Sequence, residues 1–427
     1  MTRFANRPAL ERHQLSALRE LMSAVCQSNP FYQAKFGALD PVIASSSLPS
    51  FAALVPFTHK PEVIVDQQTS PPYGTNLTYP LNRYLRCHQT SGSIGAPIRW
   101  LDTRESWDWM LQNWTRVFDA SGTTSEDRIF FAFSFGPFLG FWTAFEAATR
   151  LGCLTLPGGG LSTVARLRML IDLRASVLCC TPTYALHLGE VASKEGIDLQ
   201  QSAVRRIIVA GEPGGSVPAT RARLESFWRP AQIFDHHGMT EVGPVSYPCP
   251  SHPGTLHIIE AAYLAEVLTP DGSSPTPPGE VGELILTTLG RVGSPLIRYR
   301  TCDRVRASAP SLCACGSLDL ALVGGILGRT DDMVVIRGVN IYPNAVEEVI
   351  RRVGDIAEYQ VTVLNPGAMA EIQIQVEPEP GCTDPEGLRT RLVKELQNTF
   401  ALRFEVATVP QGTLPRFELK ARRWLKG

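Results

Sequence analysis

The chain has 427 residues, and 40 Lys plus Arg against 41 Asp plus Glu leave a formal charge of −1. At roughly 150 residues per domain the length implies two or three domains, and near-neutral charge argues against a nucleic-acid binder, which needs a basic footprint. Hydrophobic residues at 44% with charged residues at 19% exclude wholesale disorder and collagen-like structure.

The opening MTRFANRPALERHQLSALRE is charged and mixed, without the apolar stretch of a signal peptide. A cytoplasmic chain without a membrane anchor is therefore expected. Residues 129–145, IFFAFSFGPFLGFWTAF, approach the minimum spanning length of a membrane helix. Gly136, Pro137 and Gly140 interrupt them, so a buried strand, a turn and a helix are expected instead. The ten cysteines are scattered without a secretory context, which argues against a disulfide framework.

From about residue 125 to 235, apolar runs alternate with amphipathic stretches: IFFAF, CLTLP, SVLCC, RRIIVAG and AQIFDHH each stand apart from the next by a helical pattern. That spacing implies right-handed crossovers and a mostly parallel sheet, with ligands at the carboxyl ends of its strands. From about 255 to 325, LHIIEAAYLAEVL, VGELILTTL and SPLIRYRT lie between Gly/Pro turns and suggest antiparallel hairpins. Beyond Gly328 come MVVIRGVNIYP, NAVEEVIRRVG, YQVTVL, EIQIQVEP and LRTRLVKELQNTF, a small α+β unit. The expected fold is α/β: a large N-terminal part, residues 1–328, with doubly wound mostly parallel sheets and a β-rich subdomain, and a small α+β C-terminal domain, residues 329–427, joined by a hinge.

Five segments carry candidate chemistry. Residues 88–97, HQTSGSIGAP, combine glycines that let the backbone approach an anion with hydroxyls that donate to phosphate oxygens. The Walker pattern GxxxxGK[ST] is absent, which disfavours a P-loop NTPase. Residues 236–241, HHGMTE, follow a predicted strand, where the carboxylate of Glu241 could ligate Mg2+ beside a triphosphate. In YRTCD, Asp303 could accept both hydroxyls of a ribose. GRTDDMVVIRG lies between the two units, where short polar residues suit a hinge. Lys420 stands in a terminal PRFELKAR. Each segment alone also has an ordinary reading, as a turn, a solvated charge, a strand-end ion pair or a static interdomain turn.

Together, in this order and spacing, they resemble the adenylate-forming superfamily of acyl-CoA synthetases and adenylation domains, and within it the phenylacetate–CoA ligase branch. The resemblance covers essentially the whole chain. It implies an ATP-dependent aryl-acid–CoA ligase that forms an acyl-adenylate with release of pyrophosphate and then transfers the acyl group to coenzyme A. By resemblance, Lys420 is the catalytic cation, Thr240 contacts the α-phosphate, and Glu241 holds Mg2+. Thr90, Ser91, Gly92, Ser93 and Gly95 wrap the phosphates. Gly211, Glu212 and Pro213 flank adenine, with Asp235, His236, His237 and Gly238 beside the nucleotide. Asp303 binds ribose with Arg329 nearby, Asp331 is the hinge, and Gly338 faces the thiol tunnel. The loop usually reads TSGTTGKP, and Ala96 replaces its Lys. YRTGD has become YRTCD, so position 302 is not expected to demand a positive φ.

The acyl pocket is expected around Phe133, Phe135, Gly136, Ala210, Gly211, His237, Gly238 and Met239, with Phe138 nearby. An aromatic-lined slot suits an aryl ring, and His236 or His237 could hydrogen-bond a ring substituent. That points to benzoate- or anthranilate-type acids, with phenylacetate as the alternative. Cys249, His252, His257, Cys313 and Cys315 offer the soft donors of tetrahedral zinc. Similar patches hold structural zinc in the resembled branch, and Cys249, His257, Cys313 and Cys315 are the expected ligands, with His252 competing. A carrier-protein pantetheine or a downstream acyltransferase could receive the acyl group. A non-enzymatic adenylate-binding module is the rival of another class; Glu241, Asp303 and Lys420 together stand against it. Homodimers are common in the resembled branch.

Overall fold

The computed structural model describes residues 4–90, 97–336, 339–364, 371–417 and 421–426. The chain opens with helices over Arg7–Thr69, several of them started by a Pro in the first turn behind a side-chain cap from Asn6, Asn29, Asp40 or Ser47. Their apolar faces (Leu18, Met22, Tyr32, Phe51) pack against Leu264, Leu289 and Ile297 from the far side of the sequence. A hairpin of β1 (Tyr84–Gln89) and β2 (Arg99–Thr103) follows.

Among the described residues, the first large sheet is β3 (Arg128–Phe131), β4 (Leu154–Pro157), β5 (Val177–Cys180), β6 (Arg206–Ala210) and β7 (Gln232–His236), all parallel and ordered β4-β3-β5-β6-β7. These are the five expected strands. All four residues of β5 are buried, as for a parallel strand covered on both faces. The interior of the apolar run 129–145 supplies β3 and the helix Leu139–Leu151. Among the described residues no helix is long and apolar enough to cross a membrane. The chain steps from β3 outward to β4 and then returns past β3 to β5. Successive connections diverge there, which opens a crevice at the carboxyl ends of β3 and β5.

The helix Arg104–Ala120 illustrates how sequence sets this layer. Trp107, Met110, Leu111, Trp114, Val117 and Phe118 recur every three or four residues and are buried. Each contributes roughly 1.5–3 kcal/mol of burial, so Val117→Asp would disrupt the packing. Thr103 caps its start by accepting from the amide of Ser106.

Short β8 (Gly238–Met239) and β9 (Gly243–Pro244) lead into a six-stranded antiparallel sheet. Its strands are β10 (Ser246–Pro248), β11 (Thr255–Ile258), β12 (Tyr263–Leu268), β13 (Val281–Thr288), β14 (Tyr299–Ala307) and β15 (Ala321–Arg329), ordered β10-β11-β15-β14-β13-β12. The β-rich part is thus antiparallel, as its alternation implied.

The remainder has its own apolar core, including Ile341, Val349, Val361, Ile374, Leu392 and Phe404. It comprises the antiparallel pair β16 (Val334–Ile336) and β17 (Val339–Ile341), helices Pro343–Val353 and Pro385–Phe400, and β18 (Ile356–Leu364), β19 (Glu371–Pro378), β20 (Glu405–Thr408) and β21 (Trp424–Lys426). The sheet order is β20-β19-β18-β21.

Candidate active site

Three loops converge beyond the carboxyl ends of the parallel strands. The first is the phosphate-type loop between β1 and β2. The amide of Thr90 donates to the carbonyl of Ile98 at 2.9 Å, and the amide of Ile98 donates to Thr90 Oγ1 at 3.0 Å. Thr90 therefore closes the base of the loop. Ser91, Gly92, Ser93 and Gly95 lie outside the described residues. The amide of Gln89 donates to the carbonyl of Pro137 at 2.9 Å, tying this loop to the aromatic segment after β3.

The second loop follows β7. The amide of His237 donates to Ser246 Oγ at 3.0 Å, and His237 Nε2 lies 2.9 Å from Asp303 Oδ2 in β14. From the opposite side Arg329 Nη1 approaches Asp303 Oδ1 at 3.2 Å. Burial alone would raise the Asp303 pKa, but His237 and Arg329 outweigh it and hold the carboxyl below the usual range. An ionised carboxylate offers about four lone-pair sites, so Asp303 keeps acceptor capacity for a sugar. The same Arg329 holds Asp331 through two contacts of 2.8 and 2.7 Å.

Glu241 is buried, accepts from the Tyr299 hydroxyl at 3.1 Å and lies 3.6 Å from Lys60 Nζ. Thr240 is fixed through its carbonyl, which accepts from Arg291 Nη1 at 2.8 Å. Arg291 is fully buried and pairs with Asp102 through contacts of 2.7 and 2.6 Å. Neither Lys60 nor the Asp102–Arg291 pair was legible in the motifs, because each is remote from HGMTE in sequence.

His236 and His237 are not arranged as the sequence reading expected. His236 Nδ1 sits 2.7 Å from the Ser246 carbonyl, and its ring lies 4.3 Å from Trp114. Burial pushes its pKa down to about 3, so the ring is neutral. His237 is committed to Asp303. The two rings brace the loop through His236 Nδ1 and His237 Nε2, and a hydrogen bond to a substrate ring substituent would have to come from the other nitrogen of either ring. Asp235 is likewise internal, accepting from Ser216 Oγ at 2.6 Å and from the His236 amide at 3.0 Å.

The third loop holds the aromatic residues. Phe133 is buried, and Phe135 has φ 42, a left-handed conformation unusual for a bulky side chain. The Phe135 ring meets Phe133, Trp142 and Phe145 edge-on at 6.5, 5.3 and 5.3 Å. The carbonyl of Gly136 accepts from Trp142 Nε1 at 3.0 Å. A Cβ at Gly159 would stand 3.1 Å from the Phe133 carbonyl and 3.3 Å from the Phe135 ring. Glycine at 159 thus lets the chain beyond β4 approach the aromatic segment closely. Met239 packs beside the same core.

Ala210 pairs with His236 at the sheet end. Gly211 turns the chain with φ 98, and the amide of Thr183 donates to Glu212 Oε1 at 2.9 Å. Glu212 Oε2 accepts from the amide of Ala421 at 2.9 Å. Lys420 and Gly338 lie outside the described residues. Pro213 is exposed on the same loop.

A separate cluster forms where β10, β11 and the loop after β14 meet. One donor atom from each of Cys249, His257, Cys313 and Cys315 lies within 4.8 Å of all the others. Cys249 and Cys313 sulfurs are 3.6 Å apart, and Cys315 Sγ is 3.4 Å from His257 Nε2. His257 Nδ1 is 3.0 Å from the Asp319 carbonyl, which can only accept. In the neutral ring Nδ1 therefore carries the proton and Nε2 turns its lone pair to the thiols, the orientation a metal requires. His252 Nδ1 stands 3.6 Å from the sulfurs of Cys249 and Cys313.

Family models for an AMP-binding enzyme and for an AMP-binding enzyme C-terminal domain match residues 90–290 and 338–426. A phenylacetate–coenzyme A ligase of Thermus thermophilus is 30% identical over 96% of this chain and 95% of its own length. One of Pseudomonas putida is 28% identical over 97% and 93%. Among solved structures, a 2-hydroxyisobutyryl-CoA ligase in its postadenylation state aligns at a TM-score of 0.91, 26% identical over 98% of this chain and 89% of that one. The same enzyme in its thioesterification state aligns at 0.71, 26% identical over 99% and 90%.

Proposed function

Because the chain belongs to the AMP-binding enzyme family, in its phenylacetate–coenzyme A ligase branch, and is an AMP-forming acid–thiol ligase, we propose that its acid substrate is an aromatic carboxylic acid. The carrying observation is the pair of rings Phe133 and Phe135 just beyond the carboxyl end of β3, meeting edge-on, with Phe135 held in a left-handed conformation. An aryl ring stacks or meets such faces edge-on with a gain of about 0.5–1.5 kcal/mol per pair beyond simple burial. One nitrogen of each of His236 and His237 is engaged within the protein. Phenylacetate becomes the first choice, as the curated relatives carry that name.

The first half-reaction sets a carboxylate against a polyanion, and the repulsion must be offset by aimed charge in a water-poor site. Lys420 is proposed as the cation that bridges the carboxylate and the α-phosphate. Asp303 would hold the ribose, braced by His237 and Arg329, and the loop closed by Thr90 would wrap the outer phosphates. The residues at Glu241 fit a hard cation: its carboxylate is a hard oxygen donor, with Tyr299 orienting it. Bound there, Mg2+ would neutralise the phosphate charge. Lys60, near Glu241, would supply positive charge that Ala96 does not. In the second half-reaction residues 329–427 would turn about Asp331, so that Lys420 leaves and Gly338 borders the thiol path. The Cys249, His257, Cys313 and Cys315 set fits a structural zinc, whose role would be to pin the loop of residues 313–315 to β11.

A screen of phenylacetate, benzoate, anthranilate, salicylate, 2-hydroxyisobutyrate and short fatty acids tests the reading, scoring pyrophosphate release with and without CoA. Phenylacetate or benzoate should lead, with CoA-dependent AMP release. Selective use of 2-hydroxyisobutyrate or fatty acids would sink the aryl assignment. Transfer only to a carrier protein would sink the CoA assignment.

A further inference from the structure

We propose that Glu212 and Thr183 form a staple that docks the segment following residue 420, and that they act as positioning residues for the first half-reaction alone. The inference rests on the reading above, in which Lys420 serves adenylate formation and then departs. Glu212 stands in the turn after β6, where Gly211 (φ 98) redirects the chain towards the N-terminus of the helix Pro182–Lys194. Its Oε1 accepts the amide of Thr183, one of the helix's unpaired N–H groups, at 2.9 Å. A carboxylate is favoured there by the helix dipole as well. Its Oε2 accepts the amide of Ala421, covalently next to Lys420, at 2.9 Å.

The segment is held at a second point. Arg423 is buried and grips Glu358 of β18 through contacts of 2.6 and 3.2 Å. Its Nη1 also reaches Thr183 Oγ1 at 3.4 Å. Trp424–Lys426 then join the C-terminal sheet as β21 beside β18. Within a few residues the chain passes from a contact with the large core to membership of the small one. Thr183 touches both contacts, through its amide and its hydroxyl. Glu212 and Thr183 belong to the core, whereas Ala421 and Arg423 travel with the small unit. A turn of that unit must therefore break the Ala421 bond. The overall arrangement is nearer the postadenylation state of the 2-hydroxyisobutyryl-CoA ligase, at 0.91, than its thioesterification state, at 0.71. The staple is a feature of the first arrangement, and it biases the chain towards it.

The test separates the half-reactions in full-length protein. Glu212→Ala should lower kcat for acyl-adenylate formation roughly tenfold to a hundredfold, the range for a hydrogen bond to a charged group. Because Glu212 also stands in the loop expected to flank adenine, the readout is the asymmetry: consumption of supplied acyl-adenylate by CoA should fall several-fold less than adenylate formation does. Equal loss in both steps, no loss in the first, or a loss expressed only as a raised KM for ATP would overturn the inference. Should Glu212→Ala fail to fold, Thr183→Ala keeps the amide and removes the hydroxyl. It should then show the same asymmetry at about two- to fivefold, and a symmetric loss would count against the staple. A wild type that rejects aryl acids but activates another acid overturns the substrate reading only. The same comparison is then made with that acid.

Discussion

His237 Nε2 meets Asp303 Oδ2 at 2.9 Å, so a base next to the parallel sheet holds a carboxylate in the antiparallel one. Arg329 completes the grip from β15. Burial opposes ionisation of Asp303, and these two partners reverse the balance. Removing His237 leaves burial opposed by one cation. His237→Ala should therefore raise the Asp303 pKa, moving the acid limb of kcat/KM for ATP to higher pH. At neutral pH kcat/KM should fall roughly tenfold to a hundredfold. A pH profile whose acid limb stays in place would refute this role.

Lys60 is 3.6 Å from Glu241, on a helix that begins at that residue. It reaches Glu241 from the N-terminal helices, and it is proposed to supply the positive charge that Ala96, in place of the usual Lys, does not. Lys60→Ala should raise KM for MgATP about tenfold, as a charge-assisted contact of this kind supports. Adding Ala96→Lys should restore part of the loss. Steady-state kinetics on the single and double variants decide it: no change in KM for Lys60→Ala refutes a phosphate-side role.

The parallel and antiparallel parts were legible because apolar runs separated by helical patterns leave few topologies, and turn residues mark hairpins. The site was legible where its residues lie within one motif. HGMTE and YRTCD were each visible, but their union through His237–Asp303 and Tyr299–Glu241 is a tertiary fact without a local signal. Lys60, Arg291 and the second task of Glu212 were hidden for the same reason. Position 302 was misread. Cys302 has φ 63, because a bulge there sets residues 301–303 against a shorter stretch of β13 and turns Asp303 inward. The conformation is demanded by the bulge, and a thiol bears it in place of glycine.

That correction carries a prediction of its own. A left-handed non-glycine residue costs roughly 1–2 kcal/mol, and a new glycine returns roughly 0.4–1 kcal/mol of that through the unfolded chain. Cys302→Gly should thus stabilise the protein by about 0.5 kcal/mol. Urea unfolding of the two proteins measures it, and a destabilised glycine variant would show that the Cys302 side chain matters more than the strain.

The thiol and imidazole set predicts one zinc per chain. Elemental analysis of the purified protein should find it, and Cys313→Ser or His257→Ala should abolish it, whereas His252→Ala should retain it. Loss of the metal should lower the melting temperature, since structural zinc contributes to folding directly. KM for ATP should change little, because none of these four residues contacts Glu241 or Asp303. Metal-free wild-type protein with unchanged stability would defeat the assignment.

Asp235 sets a pH dependence of the opposite sign to Asp303. It is buried, accepts from Ser216 and the His236 amide, and burial pushes its carboxyl from the ordinary 3.8 up to about 6. A Cβ at Gly215 would stand only 2.8 Å from Asp235 Cβ, so the backbone closes directly over it. The folded state binds this proton more tightly than the unfolded chain does. Its contribution is therefore fully present below pH 3.8 and is lost as pH rises to about 6. A shift of about two units corresponds to at most roughly 3 kcal/mol. Asp235→Asn is neutral at every pH and keeps the shape. Relative to that variant, wild-type stability should decline between pH 4 and 6 and then run parallel above about pH 7. Denaturant unfolding of both proteins at four pH values reads the difference directly. Curves that remain parallel across the whole range would mean that Asp235 is already ionised throughout, stabilised by Ser216 and the His236 amide against the burial that surrounds it.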